Sequence, residues 1–299
     1  MIKGLKDTNR RKNYIILAES FYNDGKINKA LEFYKKSLLF VEDEKEKIDL
    51  LLNIALLNDE LGRKDEALRI YHEILDMDPK YAGAYYGIAI IHDDLGSKEK
   101  ALDYYFKAIN ADPDYDRAYF YIANIYDEMG QKNKAIDYYQ RVVTLKKDDY
   151  IAFNNMCTIY EEIEDYEKAL EMVNKSIAIN ENYFKALFNK GVILKKMKNL
   201  DEAIYFYDQS IRVNPHYPYS YLNKSVIYLE EADIPRAINT LTEGIQTNTE
   251  AAVLYYNRAC SYAKNGELEL AKKDLEKSID LYPPFKEISM ADSDLDGII

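Results

Sequence analysis

The feature that most constrains this chain is an alanine that recurs at a fixed interval. The recurring alanines are Ala30, Ala67, Ala101, Ala135, Ala169, Ala203, Ala237 and Ala271. Ala67 follows Ala30 by 37 residues, and every later alanine follows the one before it by 34 residues. A fixed period of this length is typical of stacked supersecondary units that share a linear core. The sequence therefore predicts eight repeats over residues 11–285, beginning near residues 11, 48, 82, 116, 150, 184, 218 and 252.

Side-chain size indicates what each repeat is made of. When the periodic alanine is numbered as position 20, position 8 is also small in every repeat: Ala18, Ala55, Ala89, Ala123, Cys157, Gly191, Ser225 and Ala259. Small residues at two places allow two helix backbones to approach closely, and large apolar residues flank them at helical spacing, as at Tyr119, Ile122 and Tyr126. We expect two antiparallel helices of about 14 residues in each repeat.

The repeats carry a recognisable pattern. Positions 4, 8, 20, 24 and 32 of the third repeat are Tyr85, Ala89, Ala101, Tyr105 and Pro113. This pattern resembles the tetratricopeptide repeat. The resemblance covers residues 11–285 and implies an all-α fold, a right-handed α-solenoid superhelix of antiparallel helix pairs whose first helices line a concave groove. Three repeats depart from the pattern, since Glu164, Lys198 and Ala232 stand where the others place glycine between the two helices.

The flanking segments are short. Residues 1–10 form a basic N-terminal arm without an apolar period, and residues 286–299 form a C-terminal cap and acidic tail. A terminal repeat needs a cover for its open apolar face, and we expect Ile288 and Met290 to provide it. The three extra residues after the first repeat are predicted to lengthen a helix end or a loop without breaking the stack.

Composition excludes several classes of function. The net charge of −12 opposes binding to nucleic acid or to an anionic membrane surface. There is no apolar run of the roughly 18 residues needed to span a bilayer, and the N-terminus turns polar at once, so we expect a cytoplasmic protein. Two cysteines are too few for a disulfide framework.

The sequence shows no catalytic constellation, and we expect neither an enzyme, a cofactor nor a metal site. The tail from Asp292 to Gly297 matches the opening of a calcium-binding loop. The chain ends at Ile299, before the bidentate acid that such a loop requires at its twelfth position, so a solvated acidic terminus is favoured.

The first helices offer a row of asparagines. Position 6 is asparagine in repeats two and five to eight: Asn53, Asn155, Asn189, Asn223 and Asn257. An asparagine side chain carries both donors and an acceptor, so a row of them can hold an extended peptide backbone without reading its side chains. The row resembles the asparagine ladder in the tetratricopeptide superhelix of the O-linked N-acetylglucosamine transferases. The alternative is that these asparagines are hydrated surface residues.

Further groove residues follow from the same register. They are Tyr86, Phe120, Tyr121, Asn124 and Lys185. Position 13 adds an acidic groove field of Glu60, Asp94, Glu128 and Glu162, which would favour basic partners unless it is only a solvated rim. Gly83 and Gly87 leave space on the groove side of the third repeat, which either Tyr121 fills or a ligand occupies.

These features predict a non-catalytic scaffold that binds a protein or peptide in the concave groove. The partner would offer an extended segment with basic or apolar side chains. A second hypothesis is a peptide-responsive regulatory sensor whose superhelix changes pitch on binding. Self-association also stays open, because uncapped repeats can stack between molecules.

Overall fold

The computed structural model describes residues 2–298, with side chains from Thr8 to Ile298. The described chain is α-helical and divides into two compact units, residues 1–147 and residues 148–299. The first unit holds eight helices: α1 (Ile2–Asn23), α2 (Ile27–Leu38), α3 (Glu44–Glu60), α4 (Lys64–Met77), α5 (Ala82–Asp94), α6 (Lys98–Ala111), α7 (Asp116–Glu128) and α8 (Lys132–Leu145).

The second unit continues the same succession of helix pairs. It holds α9 (Tyr150–Glu162), α10 (Tyr166–Ile179), α11 (Phe184–Lys196), α12 (Leu200–Val213), α13 (Pro218–Glu230), α14 (Ile234–Thr247), α15 (Ala252–Lys264), α16 (Leu268–Leu281), α17 (Phe285–Met290) and a 3₁₀ turn over Ser293–Leu295. Within each unit, every odd-numbered helix up to α15 packs against the even-numbered helix that follows it. The all-α fold of helix pairs predicted from the sequence is confirmed.

The small positions form the seam between paired helices. All eight periodic alanines are fully buried, and so is each small residue at position 8, for example Ala89 and Ala123. A larger side chain at either place would separate the two backbones, because protein interiors are packed to near-crystalline density. The period that was read from the sequence therefore marks the closest approach of the two helices.

Tyrosines at position 24 explain two glycines of the first helices. Tyr71 is 1% exposed, and a Cβ added at Gly87 would lie 2.6 Å from its hydroxyl oxygen. Gly191, the small residue at position 8, meets Tyr207 of its own repeat, and an added Cβ would lie 2.7 Å from the Cε1 atom of that ring. Both readings of the space at Gly87 are therefore wrong: it is neither filled by Tyr121 nor open to a ligand, because the tyrosine of the preceding repeat occupies it.

The turns between paired helices are of two kinds. In the four repeats of the first unit and in the last repeat of the second unit the turn residue is a glycine with positive φ, such as Gly130 at 72°. In the other three repeats the same left-handed conformation is adopted by Glu164, Lys198 and Ala232, at φ values of 61°, 66° and 59°. A side chain in this conformation crowds the following carbonyl, so three consecutive repeats hold strained turns.

Lys198→Gly is expected to raise the free energy of unfolding by about 1 kcal/mol, because glycine adopts positive φ without a steric cost. Urea unfolding followed by circular dichroism measures this change. The reverse substitution Gly130→Ala serves as the control, because nothing lies within 4 Å of its added Cβ. It should lower stability by a similar amount. An unchanged midpoint in both variants would contradict the strain.

The first helix begins before the first predicted repeat. The helix α1 begins at Ile2, so the backbone of residues 2–10 is continuous with the first helix of that repeat. The side chains of Lys3 and Lys6 lie outside the described residues. The three extra residues after the first repeat lengthen α3, which begins at Glu44, where the carboxylate of Asp43 accepts a hydrogen bond from the Glu46 amide at 2.9 Å.

The C-terminal cover uses other residues than those predicted. Ile288 and Met290 are 48% and 62% exposed, so they do not cover the last repeat. Instead the chain turns after α17 and buries Leu295 and Ile298 against Cys260 and its neighbours on α15. The prediction failed because α17 is only six residues long, and the apolar side chain of α17 that packs against the last repeat is Phe285, whose ring centroid lies 4.6 Å from that of Tyr256.

Candidate functional site

The predicted asparagines are all half-buried in the middle of first helices. Two of those in the second unit donate their side-chain amides to their own helix: Asn223 to the Tyr219 carbonyl at 3.0 Å and Asn257 to the Val253 carbonyl at 2.8 Å. In the first unit Asn53 makes the same bond to the Asp49 carbonyl, at 3.0 Å. The bond fixes the amide plane and uses one N–H, so it does not occupy the side-chain oxygen.

Asn189 is held differently, by a neighbouring repeat. Its Nδ2 atom donates to Asn154 Oδ1 at 2.9 Å and reaches Thr158 Oγ1 at 3.4 Å. Asn154 is 5% exposed and lies directly before Asn155, which is half-buried. Sequence reasoning missed Asn154, although two adjacent asparagines on a first helix were the available signal.

A second set of contacts fixes the spacing of the asparagines. In three successive repeats a cation at position 7 bonds position 25 of the preceding repeat: Lys190 to Asn174 at 2.7 Å, Lys224 to Asp208 at 2.7 Å, and Arg258 to Thr242 at 2.9 Å. Because position 7 adjoins the asparagine at position 6, these bonds hold Asn189, Asn223 and Asn257 in register with the preceding second helices. The sequence analysis did not identify them.

The acidic groove field is partly neutralised. Lys64 Nζ lies 2.8 Å from Asp94 Oδ2, and Lys98 forms an ion pair with Glu128. In each case a lysine at the start of a second helix reaches the carboxylate at position 13 of the next repeat. The effect of the acidic groove field on basic partners stays a prediction. Glu60 and Glu162 are exposed at their helix ends.

Asp59 and Asp93, which directly precede Glu60 and Asp94 in the sequence, are more enclosed. Burial raises the pKa of Asp59, against the opposing effect of Lys64. Burial also raises the pKa of Asp93, and repulsion from Glu128 adds to it. The Oδ1 atom of Asp59 is buried without a hydrogen-bond partner. Both carboxylates are poorly solvated, which is the condition that favours contact with a cation.

The remaining predicted groove residues differ in their surroundings. Tyr86, Phe120 and Tyr121 are half-buried and form one aromatic cluster, with ring centroids of Tyr86 and Tyr121 5.8 Å apart and those of Phe120 and Tyr121 5.8 Å apart. Asn124 accepts a hydrogen bond from the Tyr139 hydroxyl and so supports the core. Lys185 is exposed at the start of α11.

Two cysteines and a cluster of acidic residues near the C-terminus are the groups with potential for covalent or metal chemistry. Burial raises the pKa of Cys157 and of Cys260 to about 12 each, so both thiols are protonated at neutral pH. One ligand atom each from Cys260, Asp292 and Asp294 lies within 4.8 Å of the others. Asp292 accepts a hydrogen bond from the Tyr256 hydroxyl, and Asp294 pairs with a lysine, so this cluster joins the C-terminal turn to α15.

Between residues 2 and 298, no described helix is both long and apolar enough to cross a bilayer.

Comparison with protein families agrees with this geometry. Three family models, each described as a tetratricopeptide repeat, match residues 52–116, residues 116–149 and 184–217, and residues 252–285. Together they cover more than half of the sequence, and the chain belongs to the tetratricopeptide repeat family. A search of curated proteins returned no significant match.

Solved structures show the same fold at low sequence identity. MamA is 22% identical with a TM-score of 0.50, over 54% of this chain and 95% of MamA. MamA from Desulfovibrio magneticus RS-1 is 16% identical with a TM-score of 0.52, over 56% of this chain and 94% of the other. A chain of the APC/C hetero-tetramer Cut9–Hcn1 is 18% identical with a TM-score of 0.59, over 90% of this chain and 52% of the other. At these identities the likeness concerns the fold.

Proposed function

We propose that this protein is a non-catalytic scaffold that binds an extended segment of a partner protein or peptide along the asparagines of its second unit. Membership of a family of protein-interaction repeats supports the general role. The observation that carries the finer proposal is the recurrence of a half-buried asparagine at the same position of four successive first helices: Asn155, Asn189, Asn223 and Asn257.

The chemistry of the side chains supports a grip on the peptide backbone. An amide oxygen accepts from a backbone N–H, and an amide N–H donates to a backbone carbonyl, so each asparagine matches one peptide unit of any sequence. The bonds of Asn223 and Asn257 to their own helices hold these amides in place before a partner arrives, and less side-chain entropy is then lost on binding. The segment would carry basic or apolar side chains, since the protein has a net charge of −12.

Replacing all four asparagines with alanine is expected to weaken the binding of a peptide selected from a displayed random library by about a hundredfold. This is the loss that four hydrogen bonds of modest net strength would give. Fluorescence anisotropy of the labelled peptide measures it, and circular dichroism confirms that the variant folds.

The matched control removes side-chain amides from second helices. Gln209, Asn239 and Gln246 lie on α12 and α14, and their replacement with alanine should leave the affinity unchanged. Equal binding by the wild type and the four-alanine variant would refute the proposal. The peptide-responsive sensor stays a prediction from the sequence.

A further inference from the structure

The first unit contains a surface on which aromatic rings and carboxylates meet. It consists of Tyr86, Phe120, Tyr121, Tyr105, Asp59 and Asp93, and we name it the tyrosine–carboxylate patch. Its rings lie on α5, α6 and α7, and its carboxylates lie in the last turns of α3 and α5. On α5, Tyr86 and Asp93 are seven residues apart, which places them on one face about 10 Å apart along the helix axis.

Tyr105 joins the aromatic part to the carboxylates. Its ring centroid lies 5.9 Å from that of Tyr86 and 5.7 Å from that of Tyr121. Burial raises its pKa, and the charges of Asp93 and Asp94 add to this effect. The residue is fully buried, yet its hydroxyl has no hydrogen-bond partner. Buried polar groups without a partner are rare, and each one calls for an explanation.

The lysines near the patch are shared with other carboxylates. Lys64 and Lys98 lower the pKa of Asp59 and of Asp93, but they form their ion pairs with Asp94 and Glu128, and the Oδ1 atom of Asp59 has no hydrogen-bond partner. Two lysines thus face four carboxylates at this end of the patch, and a cation from a partner would reduce the excess of negative charge.

Resting on the proposed function, we infer that the tyrosine–carboxylate patch binds a lysine or arginine side chain of the partner segment. The aliphatic stem would lie over the half-buried rings of Tyr86 and Tyr121, whose faces attract a cation. The charged head would lie beside Asp93 and Asp59, where it would relieve the poor solvation of both carboxylates. An acidic or purely apolar side chain would leave these poorly solvated carboxylates without an additional cation.

The test uses a short peptide of alternating serine and lysine, with analogues that carry arginine or norleucine in place of lysine. Norleucine keeps the four-carbon stem and removes the charge. The lysine and arginine peptides are expected to bind the wild type at low salt at least about tenfold more tightly than the norleucine peptide, and high salt should reduce the difference. Isothermal titration measures the three affinities.

Two double variants separate the effect of the patch on peptide binding from the effect of the overall charge. Asp59→Asn with Asp93→Asn removes the two carboxylates of the patch, whereas Asp65→Asn with Asp76→Asn removes two exposed carboxylates of α4. The first double variant should bind the lysine peptide about tenfold more weakly than the wild type does, and the second less than twofold more weakly. Equal losses in the two variants, or equal binding of the norleucine peptide, would overturn the inference.

The outcome is distinguishable from failure of the proposed function. If the selected library peptide binds through the asparagines of the second unit while none of the three designed peptides binds, the patch is refuted and the scaffold proposal stands. If the four-alanine variant binds the library peptide normally and the lysine peptide still requires Asp59 and Asp93, the asparagine proposal fails and the patch stands.

Discussion

Replacing Asp274 with alanine is expected to lower the free energy of unfolding by about 3 kcal/mol, the largest single effect we predict for a polar residue. Asp274 accepts two hydrogen bonds from Arg258, Nε to Oδ2 at 2.6 Å and Nη2 to Oδ1 at 2.9 Å. The two side chains are only 8% and 14% exposed. The substitution therefore leaves a buried guanidinium without its counter-ion, which costs more than the ion pair itself contributes.

An exposed ion pair on α6 provides the control. Lys107 and Asp103 are also paired, at 2.7 Å, but their side chains are 44% and 62% exposed. Asp103→Ala is expected to cost less than about 1 kcal/mol, because water can solvate the lysine that is left. Urea unfolding followed by circular dichroism measures both variants. Equal shifts would show that burial of the pair between Arg258 and Asp274 has no special energetic effect.

Gly87→Ala is expected to destabilise the first unit by about 2 kcal/mol, although alanine is the better helix former. The added Cβ would lie 2.6 Å from the hydroxyl oxygen of Tyr71 and closer still to its ring. Tyr71 is 1% exposed, so the ring has no solvent space into which it can move. The strain must then be taken up by displacement of α4 from α5.

Two further variants establish the cause. Gly83→Ala on the same helix should be neutral or slightly stabilising, because its Cβ would meet only the edge of Tyr81, at 3.0 Å, and that ring is half-buried. Tyr71→Leu removes the atoms that clash, and leucine stands at the same position in later repeats as Leu241 and Leu275. In this background Gly87→Ala should cost little. A full cost in the double variant would contradict the proposed contact.

The sequence predicted the parts of the fold that repeat. Each periodic alanine, such as Ala101, meets a small partner at position 8, so the register of every helix pair follows from spacing alone. The family likewise follows from residues that recur. Local chemistry also predicted the positions of the inter-helix turns, although Glu164 and Lys198 adopt a conformation that favours glycine.

What the sequence did not predict depends on contacts between repeats. The filling of the space at Gly87 by Tyr71 involves residues of two repeats, and size alone does not say which ring enters. The pairing of Lys64 with Asp94 likewise joins two repeats, so it does not follow from the spacing of the acidic residues along each first helix. The prediction of the residues that cover the last repeat failed for a related reason, because the burial of Leu295 depends on a chain reversal after α17.

The central claim is that the asparagines of the second unit hold a peptide by its backbone. The most direct measurement compares a library-selected peptide with an analogue that is N-methylated at alternate backbone amides, so that side chains stay and backbone donors are lost. The wild type should bind the methylated analogue at least about tenfold more weakly, and the variant with alanine at all four asparagines should not distinguish the two peptides. Equal affinity of the wild type for both peptides would contradict the claim.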